Sequence, residues 1–589
     1  MSLRRLRHPV VTLALLTVSI APQMFAQLPT PSQQLASLLG AIGSELRTTT
    51  FDQQIGADGA LQHLPDVTRS AWVADAALWR TVGERARTIP VDRLMPDELT
   101  TLRVLQWEAS LQRDRAPHWW VDFSTITPYA SPLTFIVTAL RARPLAAASD
   151  TTQYLQLLRG IAPLMDSVRA GLDQRGARGI RLSRDALPAA IALLRAYECA
   201  DGANPFAVTT RQLASLDAPT RDAFVASAAR VVDSGIVPAV VRLTTYLSGP
   251  YTASAPRGVG LAQYPGGTAY YAWLVRWHTT LDVTPDSVHR AGLAEVARIE
   301  RDMATIRRQL GVSVTMRQFR DSLSKDAQFF ARTPEEFGAR LTMYARRLAP
   351  LLDRQFAMRP RAQGDVQRLP SALEPVMTFG YYQIPTPTDS MGHYYFNGSH
   401  LEQRTLLTAA PLIAHELWPG HHFQINLALE NTGLPAYRRS RYYTAFGEGW
   451  GNYASLVAGE LGLYATPMER YGYAAFDMFL ACRLVVDTGM NYHGWSRDRA
   501  KAYMREHLIE SDAQIETESL RYSTDIPAQA LAYKMGTREF VALRARAERT
   551  MGPRFDVRAF HGVVLSSGGL PMRVLGQVVD EWARVVVQK

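Results

Sequence analysis

The sequence predicts a mostly α-helical protein of two lobes, with a deep cleft and a small β-hairpin beside it. Three observations predict this fold class. Apolar residues recur at three- and four-residue spacing over most of the chain, which is the period of an amphipathic helix. Alternating strand patterns are rare, apart from one aromatic stretch. The 589 residues are enough to bury a large core, as one big domain or as two lobes.

The first 26 residues have the pattern of a secretory signal peptide. A basic start precedes an apolar run from Val10 to Ala21, which is short for a membrane span. Ala26 offers a cleavage point, and an uncleaved anchor is the alternative. No later segment is expected to cross a membrane. We therefore expect a secreted or periplasmic protein without stable membrane insertion after cleavage.

Charge and cysteine content exclude some classes of protein. The formal net charge of +10 is spread thinly and forms no basic block, so no nucleic-acid partner is expected. Cys199 and Cys482 are the only cysteines. Two cysteines do not make a disulfide framework, so we expect two buried free thiols, with a single disulfide as the alternative.

Helical periodicity is clearest in seven segments upstream of residue 353. Asp286 is a capping residue type, and Pro334 suits the first position of a helix. Residues 249–267 are rich in Gly, Pro, Ser and Ala and predict a loop over the cleft. The predicted helices are Ala71–Arg87, Glu98–Gln112, Thr151–Arg175, Ala186–Ala200, Arg221–Tyr246, Asp286–Leu310 and Pro334–Leu352.

Residues 376–399 interrupt the helical pattern. Two aromatic, β-prone segments, 378–382 and 393–397, flank a proline-containing turn, so a short hairpin is predicted. An edge strand there would pair with an extended peptide, and we expect Tyr395 and Asn397 to contribute to substrate binding. The alternative is a core hairpin without a ligand role.

The segment A-H-E-L-W-P-G-H-H-F at residues 414–423 is the richest in chemistry. Apolar neighbours place its histidines against a core, where unpaired polar groups are costly and a metal would compensate them. On an unbroken helix neither His421 nor His422 would share a metal with His415. Pro419-Gly420 breaks the helix and acts as an insertion inside the H-E-x-x-H pattern of zinc hydrolases. Either later histidine then remains open as the second ligand.

A second helix, expected over roughly 442–461, carries Glu448. This residue lies 27 positions after His421, which suits a carboxylate ligand supplied by a neighbouring helix. Its alternative role is that of a surface or capping residue. The two histidines, Glu448 and a base beside the first histidine would complete a zinc site with one open position.

Four motifs together resemble the bacterial family known as domain of unknown function 885. They occur in family order over the C-terminal third, and one local departure is Gly451-Asn452, where a more apolar pair is typical. The motifs are H-E-x-x-P-G-H-H at 415–422, E-G-W-x-x-Y at 448–453, D-T-G-x-x-x-x-G-W at 487–495 and R-Y-x-x-x-x-P-x-Q-A-L-x-Y-K-x-G at 521–536.

The family is similar to zinc metallopeptidases of the neurolysin and angiotensin-converting-enzyme type. This resemblance implies a mostly helical fold, one zinc ion and hydrolysis of short peptides or small amides. We expect a single large domain over residues 27–589. Its N-terminal helical lobe would span roughly 27–370 and its metal-site lobe roughly 371–589.

The hypothesis assigns each candidate residue a role. Glu416 is the expected general base, and Tyr522, Tyr533 and His493 are candidate donors to the developing oxyanion, with ordinary core or capping roles as the alternative. Arg521 would bind a substrate carboxylate or pair with a structural acid.

Three other functions were weighed against a zinc peptidase. A serine hydrolase is disfavoured because no G-x-S-x-G motif and no alternating β/α pattern occurs. A catalytically inactive periplasmic protein that binds metal or peptide is disfavoured by Glu416, which has no evident binding task. A zinc hydrolase of non-peptide amides or esters remains an alternative.

Overall fold

The computed structural model describes residues 29–46, 61–199, 204–371, 374, 380–386, 389–439 and 441–588. The predicted signal peptide lies outside the described residues, as do residues 376–379 at the start of the predicted hairpin. In the described part, helices dominate and three short strands form one sheet. This confirms the predicted mostly α-helical class.

The first fourteen helices come from the N-terminal 348 residues. They are α1 (Pro31–Glu45), α2 (Arg69–Arg87), α3 (Pro96–Gln112), α4 (Pro132–Ala142), α5 (Ala148–Gly176), α6 (Leu187–Arg195), α7 (Thr210–Leu213), α8 (Ala218–Val231), α9 (Val237–Tyr246), α10 (Thr252–Ser254), α11 (Gly267–Thr279), α12 (Pro285–Gln309), α13 (Met316–Leu323) and α14 (Pro334–Leu348). Each of the seven predicted segments overlaps at least one of them, because the apolar period of a buried helix face is visible in the sequence, whereas helices such as α4, α11 and α13 were not predicted.

The sheet and ten further helices complete the described chain. The strands are β1 (Gln363–Arg368), β2 (Gly380–Gln383) and β3 (Met391–Phe396), and the helices are α15 (Ala409–Glu416), α16 (His421–Glu430), α17 (Ala436–Arg439), α18 (Thr444–Glu460), α19 (Pro467–Asn491), α20 (Arg497–His507), α21 (Asp512–Leu520), α22 (Leu531–Met551), α23 (Val557–Ser566) and α24 (Met572–Gln588).

Helix starts show how local sequence sets the boundaries. Pro334 takes the first position of α14, as predicted. The predicted cap at Asp286 is wrong by two residues. Thr284 caps α12 instead, where its hydroxyl accepts a hydrogen bond from the Ser287 N–H and Pro285 occupies the first helical position.

Helices α8, α9 and α10 form one continuous helix over Ala218–Ser254, with two wider π-type turns before Val237 and Thr252. The loop predicted from residue 249 is therefore wrong in its first part, because the wider turns absorb Pro238 and Pro250 without ending the helix.

This long helix is the one described segment long and apolar enough to cross a membrane, by length and composition alone. The expectation that no later segment reaches that threshold is corrected accordingly. One face of the helix packs against α5 and α6.

Two large hydrophobic clusters hold the molecule together. One is drawn mainly from residues 61–288, and the other mainly from residues 331–579, including Phe423 of α16 and Trp450 of α18. Buried apolar side chains of this kind contribute the dominant stabilising term, roughly 1.5–3 kcal/mol each.

The sheet has the order β1-β3-β2. The predicted hairpin is present, since β2 pairs antiparallel with β3 and Tyr381 faces Tyr395. Strand β1 was not predicted, and it pairs parallel with β3 from the other side. Because β3 is central, its backbone is already paired on both edges. The sheet also joins residues on both sides of the lobe boundary expected near residue 370.

Helices α18 and α22 cross at two glycines. A Cβ atom on Gly449 would lie 2.6 Å from the Gly536 Cα, and one on Gly536 would lie 2.1 Å from the Ala445 carbonyl oxygen. No larger residue fits at this crossing, so the two backbones meet directly. The crossing brings Glu448 of α18 and Tyr533 of α22 to the same region.

Both cysteines are free, as expected, with Cys482 fully buried and Cys199 partly buried. Cavities of about 290 and 410 Å³ open between α12 and α19 and between α5 and residues 62–68. Neither is lined by His415, His421 or Glu448, so the deep cleft at the histidines stays a prediction.

Candidate metal centre

The helix carrying the first histidine breaks where the sequence predicts. Helix α15 ends at Glu416 and α16 begins at His421. A Cβ atom on residue 420 would lie 1.8 Å from the His415 carbonyl oxygen, so glycine is required. The Trp450 indole N–H donates to the Pro419 carbonyl oxygen at 2.7 Å, which ties the break to α18.

The break brings three side chains of metal-binding type together. His415, His421 and Glu448 each offer one ligand atom, and these atoms lie within 4.8 Å of one another. Glu448 Oε2 lies 3.5 Å from His415 Nε2 and 3.3 Å from His421 Nε2. This is the one such group among the described residues. We call it the metal-site cluster.

The His415 ring is held in a defined orientation. Its Nδ1 is 2.8 Å from Asn452 Oδ1, which accepts the hydrogen bond and leaves the Nε2 lone pair free towards Glu448. A Cβ atom on residue 451 would lie 2.7 Å from the ring. Gly451-Asn452, the local departure from the family pattern, thus makes room for the ring and fixes it.

His422 lies on the opposite side of α16, against the sheet. Its Nδ1 accepts from the Tyr382 hydroxyl at 2.9 Å, and its Nε2 donates to the Ala362 carbonyl oxygen at 3.1 Å. Both ring nitrogens are therefore used. The expectation of a metal ligand at His422 is corrected, and the second histidine of the cluster is His421.

Glu416 is half-buried and directly follows His415. Burial raises the pKa of its carboxyl and the charge of Glu448 adds to the rise, while His415 and His421 oppose it. A carboxylate with a raised pKa beside the cluster is the type of group that accepts a proton in catalysis.

Burial and charge compete at the ligand residues themselves. Burial alone would raise the pKa of Glu448, but His421 and His415 outweigh it and hold that pKa well below its usual range. Burial alone would lower the pKa of His421, and the Glu448 charge reverses this and raises it. The Glu448 charge and the two histidines thus stabilise one another.

Two buried atoms of the cluster have no hydrogen-bond partner among the described residues. They are Glu448 Oε2 and His421 Nδ1. Contacts of 3.3 and 3.5 Å to the two Nε2 atoms are too long for strong hydrogen bonds. Two imidazole nitrogens and one carboxylate oxygen are a donor set that suits zinc, with a fourth position left open. The residues present therefore fit a zinc ion.

Aromatic side chains border the cluster. The Tyr533 ring stacks on His415 with ring centres 6.0 Å apart, and Phe476 meets the same histidine edge-on at 6.1 Å. The Tyr533 hydroxyl also interacts electrostatically with Glu448. Of the three predicted oxyanion donors, Tyr533 is the one that lies beside the cluster.

The other two predicted donors are occupied elsewhere. The Tyr522 hydroxyl donates to Glu518 and accepts from Arg483 Nε at 2.7 Å. His493 lies 3.7 Å from Asp286 and packs on His289 at the start of α12. Their roles as oxyanion donors are corrected, because both belong to packing and ion-pair contacts.

Of the three predicted substrate-binding residues, two have structural contacts and one remains a candidate. Asn397 is fully buried and its amide bonds the Glu374 carbonyl and the Ser399 N–H, so it holds a turn. Tyr395 lies on β3, whose backbone is already paired with β1 and β2 and so cannot pair with a peptide, and its ring packs against Tyr381 and His393. Arg521 remains a candidate, since its guanidinium interacts electrostatically with Tyr533.

Some site residues were not predicted as such. Asn452 carries no distinguishing spacing, and Trp450 lies in the E-G-W motif without a predicted role in the site. Tyr382 falls in the predicted hairpin but gave no sign of its bond to His422. Their roles follow from contacts between distant segments.

Comparisons with known proteins agree on the fold. A family model described as "Bacterial protein of unknown function (DUF885)" matches residues 50–579. No curated protein matches the chain.

Two solved structures are similar to the chain. One, described as "the putative lipoprotein from Colwellia psychrerythraea", is 24% identical with a TM-score of 0.81, covering 95% of this chain and 100% of that one. Another, a "putative lipoprotein of unknown function" from Shewanella oneidensis, is 16% identical with a TM-score of 0.65, covering 94% and 100%. These likenesses concern the fold alone.

Proposed function

Because the chain belongs to the DUF885 family of bacterial proteins, whose function is unknown, we propose its activity from the geometry of the metal-site cluster. The proposal is a secreted or periplasmic zinc-dependent hydrolase that cleaves short peptides. The observation that carries it is the convergence of His415, His421 and Glu448 within 4.8 Å, with Glu416 beside them.

Each residue has a task in this proposal. His415, His421 and Glu448 would hold the ion, with Asn452 fixing the His415 ring. A bound zinc ion would supply Lewis acidity, polarising the scissile carbonyl and lowering the pKa of water towards ~7. Glu416 would accept a proton from the attacking water and pass it to the leaving amine.

Tyr533 is the proposed donor to the developing oxyanion. Its ring stacks on His415, and its hydroxyl interacts with Glu448. Removing one such donor in an enzyme typically costs about 10²–10³ in kcat.

The burial of the cluster supports small substrates. His415 is 4% exposed and His421 is 8% exposed. Such low exposure favours one extended peptide strand over a folded protein surface as the substrate. Periplasmic or secreted location is supported by the N-terminal signal pattern alone.

The test combines metal content with peptide cleavage. Purified protein is loaded with zinc, its metal content is measured by mass spectrometry, and a mixed peptide library is incubated with it. Glu416→Gln should keep one zinc per chain, and its hydrolysis rate should fall about 10²–10⁴-fold. Glu460→Gln on α18, which pairs with Arg544, is the matched control and should keep both.

Each other outcome selects a different function. Zinc binding without cleavage of any peptide would favour non-peptide amides or esters, or an inactive metal- or peptide-binding protein. A fully active Glu416→Gln variant would show that another group is the base. A protein that binds no zinc would end the proposal.

A further inference from the structure

Two arginine side chains lie beside the tyrosine that covers the metal-site cluster. The Arg483 guanidinium carbon is 4.5 Å from the centre of the Tyr533 ring, and that ring stacks on His415. The Tyr533 hydroxyl interacts electrostatically with Glu448, with Arg521 and with Arg483. The Arg483 charge thus lies one aromatic ring away from the cluster, and the Arg521 charge acts on the hydroxyl of the same ring.

One carboxylate serves both guanidinium groups. Glu518 is fully buried, and its oxygens lie 3.3 Å from Arg483 Nη2 and 3.4 Å from Arg521 Nη1. Glu518 also accepts the Tyr522 hydroxyl proton. Among the described residues, it is the acid within 4 Å of either guanidinium. Close pairing therefore leaves one positive charge without a partner.

Three more distant acids compensate that charge only in part. Asp487 and Asp525 interact with Arg521, and Glu510 interacts with Arg483, each beyond ion-pair distance. Burial raises the pKa of Asp487 to about 7, of Asp525 to about 6 and of Glu510 to about 7. Asp487 and Glu510 therefore carry only part of a full negative charge near neutral pH.

Donor groups on both arginines remain unused. Arg521 Nη2 donates to the neutral Gln529 amide oxygen at 2.7 Å, and its buried Nε has no partner in the described part of the chain. Arg483 donates through Nε and Nη2, and no described residue accepts from its Nη1. A guanidinium with free N–H groups is suited to bind a carboxylate through two parallel hydrogen bonds.

The loop that carries Gln529 is fixed by a backbone hydrogen bond, and Arg521 contacts an exposed residue on the protein surface. Ala528 adopts a left-handed backbone angle, φ +68°, and its N–H donates to the Asp487 carboxylate at 3.1 Å. On the outer side, the Arg521 guanidinium lies 5.0 Å from the ring centre of Tyr129, which is 43% exposed. Arg521 therefore contacts an exposed aromatic side chain, while its charge acts on the Tyr533 hydroxyl.

We propose that Arg521 and Arg483 bind the free C-terminal carboxylate of a short peptide, so that the protein is an exopeptidase that cuts close to the C-terminus. This inference rests on the proposed peptide hydrolysis. The carboxylate would balance the unpaired positive charge and accept hydrogen bonds from the unused N–H groups of the two arginines. An enzyme that requires this anchor would disfavour internal cleavage.

The test compares the peptide Ala-Ala-Phe with its C-terminal amide, which differs only in the anchored charge. Hydrogen bonds to charged groups are worth about 1.5–3 kcal/mol, so zinc-loaded protein should cleave the free acid about 10–100-fold more efficiently, measured as kcat/KM. Arg521→Met should bring the ratio of acid to amide close to one. Equal cleavage of both peptides by the wild type would overturn the proposal.

A control variant and a binding measurement keep the result unambiguous. Arg497→Met removes a similarly buried arginine, paired with Asp185 and Glu516, and should keep the wild-type preference for the acid. Calorimetric titration of chelator-treated, metal-free protein with the two peptides tests the anchor without catalysis. If metal-free protein binds the acid preferentially and Arg521→Met abolishes that preference, while zinc-loaded protein cleaves neither peptide, the anion site is supported and hydrolysis of these peptides is rejected. Equal binding of acid and amide would reject the anion site, whatever the hydrolytic activity.

Discussion

The two neighbouring histidines in the first turn of α16 differ in their hydrogen bonds. His422, on the sheet side, is fully buried and has both ring nitrogens in hydrogen bonds, with the Tyr382 hydroxyl and the Ala362 carbonyl oxygen. His421, on the α18 side, has a buried Nδ1 without a described partner and an Nε2 facing Glu448. A buried imidazole whose bonds are complete holds structure, whereas one with bonds missing marks a site for a ligand.

The difference between the two faces has a thermodynamic reason. A buried polar group without a partner costs about 1–3 kcal/mol, and native structures rarely keep such groups without a function. The sheet side completes its bonds within the chain. The α18 side leaves Glu448 Oε2 and the two Nε2 atoms without strong hydrogen bonds, and we propose that zinc binds these three atoms.

The largest expected effect comes from replacing His421 and His422 in turn by leucine. His421→Leu should lower zinc affinity by more than about 100-fold, because it removes a ligand rather than an outer partner, whose loss costs about 10–100-fold. His422→Leu should leave zinc affinity within a few-fold of wild type. Competition with a chromophoric chelator measures both. Equal losses in the two variants would erase the distinction between the faces.

A second variant tests how firmly the α18 side is built. Asn452→Ala removes the acceptor that orients His415, so zinc affinity should fall about 10–100-fold while the fold is kept. Asn452→Asp, which retains an acceptor oxygen at this position, should recover most of the loss. If Asn452→Ala binds zinc like the wild type, the orientation of the ring does not depend on this bond.

Replacing His422, on the sheet side of α16, should lower the stability of the protein. In His422→Leu, the Ala362 carbonyl oxygen and the Tyr382 hydroxyl lose a partner, so the free energy of unfolding should fall by about 1–3 kcal/mol. Urea unfolding of metal-free protein followed by circular dichroism gives the value. An unchanged midpoint would mean that water replaces the ring at no cost.

The smallest effect concerns His393, a sheet histidine satisfied by charge. Burial would lower its pKa, but hydrogen bonds with Asp365 and Asp389, at 2.6 and 2.9 Å, outweigh burial and raise it. A raised pKa adds stability that is complete below the unfolded value of about 6.5 and is lost as pH rises through the folded value.

Because Asp365 is 38% exposed and Asp389 is 47% exposed, solvent screening limits this gain to about 0.5–1 kcal/mol. The difference in unfolding free energy between wild type and His393→Gln should therefore shrink between pH 6 and pH 9. A difference independent of pH would show that His393 stays neutral.

Sequence reasoning worked where the signal was local. Helical periodicity located α2, α5, α12 and α18 to within a few residues, and the Pro419-Gly420 insertion correctly predicted a break after His415. Glu448 was proposed from its spacing and lies in the cluster. Each of these rests on backbone preferences or on periodicity that a short window contains.

The errors concern contacts between distant segments. The choice between His421 and His422 depends on β1, whose Ala362 neighbour accepts one bond, and β1 was not predicted because it pairs in parallel across more than twenty residues. His493 and Tyr522 each lie in one of the four motifs, yet their partners, Asp286 and Glu518, were not identifiable from spacing. Tertiary partners decide whether a polar residue is free.

The glycine crossing of α18 and α22 has a consequence for how the site withstands change. Most helix contacts are cushioned by side chains, which can rotate when a neighbour is altered. At this crossing no side chain separates the two helices, and the Gly536 Cα lies against Gly449 backbone atoms. Glu448 and Tyr533 lie one and three residues from that contact. The distance between them should therefore stay constant when surrounding residues are substituted during evolution.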